Sequence, residues 1–328
     1  MSAPALDLLS RARVGQRAAI ARLISTVEAR APGADAVLAA LAPRRRDAPG
    51  TPHVIGITGP PGAGKSTFVD GLVGLARGRR QRVAVLAVDP SSPRTGGAIL
   101  GDRIRMEAHA GDPGVYVRSL GSRGYLGGLS RAAGQVVDLL DDLGFDLILV
   151  ETVGVGQGEL AVLDVADTVL VVLTPESGDT VQTMKAGLLE IADVFCVNKA
   201  DRPGAEHLVR DLELSVHLDD RPGWQAPVCT AAALHNRGVG DVLAALDAHH
   251  AWLQDAGRAD WDMRRADGRV HVFLDMCAET ARSAAARWIA THPARDALRA
   301  GLLRPETLVD VALAATIGAP PPPAPVQA

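Results

Sequence analysis

Apolar and polar positions follow three different patterns along this chain, and the changes between them mark its organisation. Over residues 5–42 apolar side chains recur at three- and four-residue intervals with Arg and Glu between them. That is the period of helices with one buried face, and about two helices are expected there. The stretch APRRRDAPGTPH, with its prolines and glycine, then predicts a linker. From Val54 the pattern changes to short apolar runs separated by longer amphipathic segments: HVIGIT, RVAVLAV, VYVRSL, DLILVE, TVLVVLT, DVFCVNK and PVCTAA. Runs of this kind, apolar on successive rather than alternate residues, suit strands covered on both faces. Their alternation with helices predicts an α/β fold with a mostly parallel sheet. After about residue 256 the strand pattern stops, and two or three helices are expected before the Pro-rich end GAPPPPAPVQA, which predicts disorder. The expected organisation is a helical extension at 1–48, an α/β domain at 49–256, a helical arm at 257–317 and a disordered tail at 318–328.

Composition narrows the classes open to the chain. Of its 328 residues 47% are apolar but only 3% aromatic, so Ala, Val and Leu must fill the core. The net charge of -4 is spread along the sequence, and no basic stripe is interleaved with aromatics, which argues against a nucleic-acid partner. The run Arg44–Arg46 reads as a solvated linker end. No apolar stretch reaches the length of a membrane span, and Asp7, Arg11 and Arg13 interrupt any signal-peptide core, so no membrane association is expected. The cysteines, at 196, 229 and 277, are far apart; buried thiols in a reducing cytoplasm are expected rather than disulfides or a metal site.

The segment GPPGAGKST fits G-x-x-x-x-G-K-[ST] between the strand VIGIT and the helix STFVDGLVGLARG. In that context it predicts a phosphate loop. Gly59, Pro60, Pro61, Gly62, Ala63, Gly64, Lys65, Ser66 and Thr67 are the candidate phosphate-binding residues. The glycines let backbone N–H groups approach phosphate oxygens, and the helix N-terminus favours negative charge. Lys65 is expected on the β- and γ-phosphates and the Ser66 hydroxyl on Mg²⁺.

Downstream, NKAD follows the strand DVFCV and matches the guanine signature N-K-x-D through Asn198, Lys199 and Asp201. A carboxylate at Asp201 accepts from guanine N1–H and the exocyclic amine, which adenine cannot offer. Lys199 is expected over the base plane and back toward the phosphate loop. A helix-capping role for Asp201 is the plainer alternative. The following strand ends in a loop with Ala232-Ala233 where GTPases commonly have Ser-Ala; the amide of Ala233 is the candidate contact to guanine O6. GTP, GDP and Mg²⁺ are therefore the expected ligands.

The metal and switch residues are less regular. Asp89 ends one strand run, Asp102 lies in a Gly-rich segment, and Glu151 ends the run DLILV. With Ser66 they form a candidate oxygen-donor set for magnesium. Their plain alternative is turn or cap formation. In ETVGVGQ a Glu stands where Ras-like GTPases have Asp, and Val155 rather than Gln follows Gly154. The Gly154 amide is expected at the γ-phosphate. Without a Gln there, hydrolysis needs completion by another segment or a partner. TPESGDTVQTMK, with Gln182 and Lys185, is the internal candidate, and its alternative is an ordinary loop and helix start. The candidate catalytic residues are Lys65, Asp102, Glu151, Gln182 and Lys185.

Taken together, GITGPPGAGKSTFVDGL, VAVLAVDPSSPRTGGAILGDRIRM, SRGYLGGLS, ILVETVGVGQGE and VVLTPESGDTVQTMKAGLLEIADVFCVNKAD resemble the MeaB/ArgK family over about residues 50–250. The resemblance implies a P-loop GTPase that acts as chaperone of an adenosylcobalamin-dependent acyl-CoA mutase, gating cofactor loading and release. It implies that Asp89, Asp102 and Glu151 are magnesium and switch acids, that residues 174–185 form a third switch, and that hydrolysis is slow until the partner mutase rearranges the switches. It also implies a homodimer built by C-terminal helices. No Asp-x-His-x-x-Gly cobalamin signature is present. Two other readings compete: a kinase or ATPase of amino-acid transport, against which NKAD argues, and a nickel-inserting GTPase, for which no Cys or His cluster is evident.

Overall fold

All seven apolar runs become strands of one sheet. The computed structural model describes residues 3–41, 51–89, 109, 111–121, 131–152, 165–177, 188–217 and 223–317. Helices α1 (Ala3–Arg13), α2 (Arg17–Glu28) and α3 (Ala34–Ala40) come first, one more than the periodicity predicts. The strands are β1 (His53–Thr58), β2 (Val83–Asp89), β3 (Val115–Gly121), β4 (Leu147–Thr152), β5 (Thr168–Leu173), β6 (Val194–Val197) and β7 (Val228–Thr230). Between them lie α4 (Lys65–Gly78), α5 (Arg131–Asp142), α6 (Leu188–Ile191) and α7 (Ala205–His217), and after them α8 (Val239–Gln254). The sheet order is β3-β2-β4-β1-β5-β6-β7. Every pairing in it is parallel, not just most of them.

The strand composition explains this layering. Successive side chains of a strand point to opposite faces, so a strand covered on both faces must be apolar throughout. In β5, Val169, Val171 and Leu173 join one core while Leu170 and Val172 join the other. The first core takes its cover from α1, α2, α5 and α7, through Leu9, Ile20, Leu23, Ile24, Val136, Leu140 and Leu212 among others. The second is covered by α4 and α8, through Phe68, Leu72, Val242 and Leu246. Each of the larger aliphatic side chains contributes about 1.5–3 kcal/mol by leaving water. The N-terminal helices are thus part of the sheet's cover. Arg13 holds Asp142 of α5 through two hydrogen bonds, and Arg118 of β3 reaches Ser25 and Glu28 of α2.

The chain divides into two compact units, Met1–Gly268 and Arg269–Ala328. The division falls within α9 (Arg258–Thr291). The second unit continues with α10 (Ala294–Arg299) and α11 (Glu306–Ile317). Val270, Phe273 and Leu274 of α9 are exposed. No helix among the described residues is long and apolar enough to cross a membrane. Cys196 is buried, Cys229 half-buried and Cys277 exposed, and all three are free thiols. Burial pushes the Cys196 and Cys229 thiols up, which leaves them poorly reactive.

At the N-terminal edge of the sheet a buried polar cluster ties three strand starts to the root of α9. His53 Nε2 and His249 Nδ1 lie 2.7 and 2.8 Å from Thr168 Oγ1, and His249 Nε2 lies 3.5 Å from Asp193 Oδ1. A proton on His249 Nε2 leaves Nδ1 to accept from the Thr168 hydroxyl, which accepts in turn from His53 Nε2–H. Asp167 accepts from the Val54 amide, Trp261 Nε1 and Arg265, while Asp193 accepts from the Val169 amide and Arg264. Burial holds His53, His249 and His250 below the ordinary histidine value of 6.5. The unfolded chain therefore takes up protons first as pH falls. The cluster's full stability is present above pH 6.5 and is lost progressively below it. Thermal unfolding followed across pH 8 to pH 5 is expected to show a falling midpoint below about pH 6.5, and His53→Gln is expected to flatten that slope.

Candidate nucleotide-binding site

The C-terminal ends of β1, β4, β5 and β6 lie side by side, and the predicted chemistry is arrayed along them. Chain reversal after β1 builds the loop 59–64, and α4 starts at Lys65. Two glycines are required by close approach. At Gly59, with φ 136°, a Cβ would stand 2.0 Å from the Val172 carbonyl oxygen of β5. At Gly64, with φ 84°, it would stand 2.6 Å from Asn198 Nδ2. Lys65 is buried and folds back across its loop, donating to the carbonyls of Gly59 (2.7 Å) and Pro60 (3.1 Å). Its ammonium is thus anchored over the loop, next to the amides at the helix start.

Glu151 is brought to this loop by register. It pairs with Ile57 on β1 and Ala87 on β2. Its side chain is buried, and Oε1 accepts from Ser66 Oγ at 2.8 Å. Two of the four candidate metal ligands therefore meet directly. The next residue, Thr152, donates to Thr58 Oγ1 at 3.0 Å and locks β4 to β1 just behind them. Asp89 closes β2 at the same edge. Asp102, Gly154, Gln182 and Lys185 lie outside the described residues.

Asn198 joins the two halves of the site. It is buried; its Nδ2 donates to the Ala63 carbonyl of the phosphate loop at 2.8 Å, and its Oδ1 accepts from the Ala233 amide at 3.1 Å. The Ala233 amide, expected at guanine O6, is thus engaged by Asn198 in this structure. The loop it serves is the short turn Ala233–His235 after β7. Lys199 has a left-handed backbone, φ 55°, and its ammonium stands 3.7 Å from Glu176 rather than back at the phosphate loop. Asp201 is exposed, with His235 Nε2 3.9 Å from Oδ2. The helix that Asp201 could have capped begins only at Ala205, so Asp201 is not its N-cap.

The pattern of TPESGDTVQTMK gives no reason to single out Glu176. It sits in the turn Pro175–Ser177 after β5 and accepts a hydrogen bond from Arg202 as well as facing Lys199. The Arg202 guanidinium holds its carboxyl down to about 2. Thr58, Thr152 and His235 likewise carry no local signal of their place beside the site. Glu176 and His235 become significant only once different strand ends are adjacent, which no local pattern reports.

A family model described as methylmalonyl-CoA mutase-associated GTPase MeaB matches residues 20–287. The chain belongs to this family. Relatives agree with that membership. A putative GTPase of Pyrococcus horikoshii is 46% identical over 78% of this chain and 80% of its own length. The GTPase ArgK of Escherichia coli is 37% identical over 82% and 86%. A protein of Caenorhabditis elegans named methylmalonic aciduria type A homolog, mitochondrial, is 34% identical over 65% and 54%. Among solved structures, that of a LAO/AO transport system kinase superposes with a TM-score of 0.68 over 97% of this chain and 99% of its own, at 28% identity. The MeaB-family chain is a P-loop GTPase by fold and by family.

Proposed function

We propose that GTP lies along the C-terminal edge of the sheet, its phosphates in the loop 59–67 and its guanine against Lys199 and Asp201, and that a partner mutase reads the occupied state. The observation that carries this is the Asn198 side chain, which fastens the phosphate loop to the loop after β7. Each of its two buried hydrogen bonds contributes about 1 kcal/mol, and together they hold the two subsites in a fixed relation. Lys65 would exchange its loop carbonyls for β- and γ-phosphate oxygens. Ser66 and Glu151, both hard oxygen donors and 2.8 Å apart, fit a magnesium ion, and Asp89 and Asp102 keep the ligand role that the family resemblance implies for them. When bound, that ion would neutralise charge building on the phosphate oxygens. In hydrolysis a water attacks the γ-phosphorus, the bond to the β–γ bridging oxygen breaks, and GDP and phosphate leave. The Gly154 amide keeps its expected place at the γ-phosphate, and Gln182 and Lys185 keep the switch role that the family resemblance implies for residues 174–185.

The family description, a mutase-associated GTPase, supports a chaperone of an acyl-CoA mutase; the finer proposal is that it gates adenosylcobalamin loading into that mutase in the cytoplasm. Homodimerisation fits the exposed Val270, Phe273 and Leu274, which fall on one face of α9. The amino-acid-transport reading survives only in what a 28% identical structure is called, and the guanine-reading motif does not favour it. The test is GTP turnover by the purified chain with and without candidate mutases, namely methylmalonyl-, isobutyryl-, ethylmalonyl- and 2-hydroxyisobutyryl-CoA mutase. The cognate mutase is expected to raise the rate at least about tenfold, roughly 1.4 kcal/mol of barrier. A flat response to all of them contradicts the chaperone role.

A further inference from the structure

We infer that Glu176 is a positioning residue for guanine recognition, holding the Lys199 ammonium so that the stem of Lys199 stays across the base site. This rests on the guanine-site reading above. The geometry comes from three strand ends. Asn198 is fixed on both sides of its side chain, and its amide donates to the Leu173 carbonyl at the end of β5. The following residue, Lys199, is left-handed, which turns the chain sharply and restricts where its side chain can start. Arg202 N–H donates to the Lys199 carbonyl and closes the turn. The turn after β5 then places Glu176 between the two cations. Arg202 donates to its Oε1, and Lys199 Nζ stands 3.7 Å from its Oε2.

The two contacts have different roles. Arg202 is a planar donor that fixes the carboxylate, whereas Lys199 is a long stem ending in a point charge. Held by Arg202, the Glu176 carboxyl stays ionised throughout the neutral range, so Lys199 faces a permanent anion. Without that anion the Lys199 ammonium is solvated in many rotamers, and covering a base would require ordering the whole stem first. Glu176 is 48% exposed and Lys199 30%. The effect is therefore screened by water and salt, and a modest factor is expected.

The experiment measures binding of a fluorescent GDP analogue, and the KM of GTP turnover, for the full-length chain. Four proteins form a cycle: wild type, Glu176→Gln, Lys199→Ala and the double variant. Glu176→Gln is expected to weaken GDP binding about fivefold at low salt, with the loss in turnover appearing in KM. It is expected to add nothing once Lys199 is already Ala, and Glu176→Asp should recover part of the loss. An equal effect with and without Lys199, or no effect at all, overturns the inference. Asp201→Asn measured alongside separates the two levels. If it abolishes guanine preference while Glu176→Gln is silent, only the role of Glu176 is rejected. If guanine preference survives in Asp201→Asn, the site reading itself is rejected.

Discussion

Lys65→Ala is expected to hydrolyse GTP about a thousandfold more slowly than the wild type, a loss of roughly 4 kcal/mol of transition-state stabilisation. The reason is local. Lys65 is buried at the start of α4, and its ammonium is anchored across the loop by the Gly59 and Pro60 carbonyls. A charge held there acts on phosphoryl oxygens in a water-poor site, where it is worth more than in bulk water. Its removal leaves the helix-start amides to hold the triphosphate alone. The fold should survive, because the cover of the sheet by α4 comes from Phe68, Val69, Leu72 and Val73 rather than from Lys65. Steady-state turnover and GDP titration, together with a melting curve, check the prediction. A variant that melts normally and turns over GTP within threefold of wild type would remove Lys65 from the site.

Much of the fold was legible because parallel strands buried on both faces are apolar at every position. TVLVVL could hardly be read otherwise, and β5 is buried along its whole length. The phosphate loop was legible for a different reason: Gly59 and Gly64 answer to collisions with Val172 and Asn198 that any other residue would suffer. What the sequence hid was adjacency. The bond between Ser66 and Glu151 depends on the β1–β4 register, and the two residues are far apart in the chain. The engagement of the Ala233 amide by Asn198 depends on β7 lying beside β6. The His53–Thr168–His249 cluster draws on β1, β5 and α8: His249 faces Thr168 while the neighbouring His250 stacks on His53, and no local pattern reports either contact. A third N-terminal helix is not legible because α3 is only seven residues long, too short to show a period.

Asp201→Asn is expected to lower GDP affinity by roughly a hundredfold to a thousandfold. Guanine presents two N–H donors on one edge, and a carboxylate accepts both. An amide offers one oxygen and turns its own N–H₂ toward the second donor, so one hydrogen bond is kept and the other is replaced by a clash of donors. Xanthine carries a carbonyl where guanine has the amine, and the Asn amide can donate to it. The variant should therefore gain xanthosine diphosphate as it loses GDP.

Calorimetric titration of wild type and Asp201→Asn with GDP, ADP and xanthosine diphosphate tests the base assignment most directly. The account predicts wild-type preference for GDP over ADP by at least about a hundredfold, and a variant that prefers xanthosine diphosphate. Equal affinity of the wild type for GDP and ADP, or an unchanged GDP preference in the variant, would contradict it.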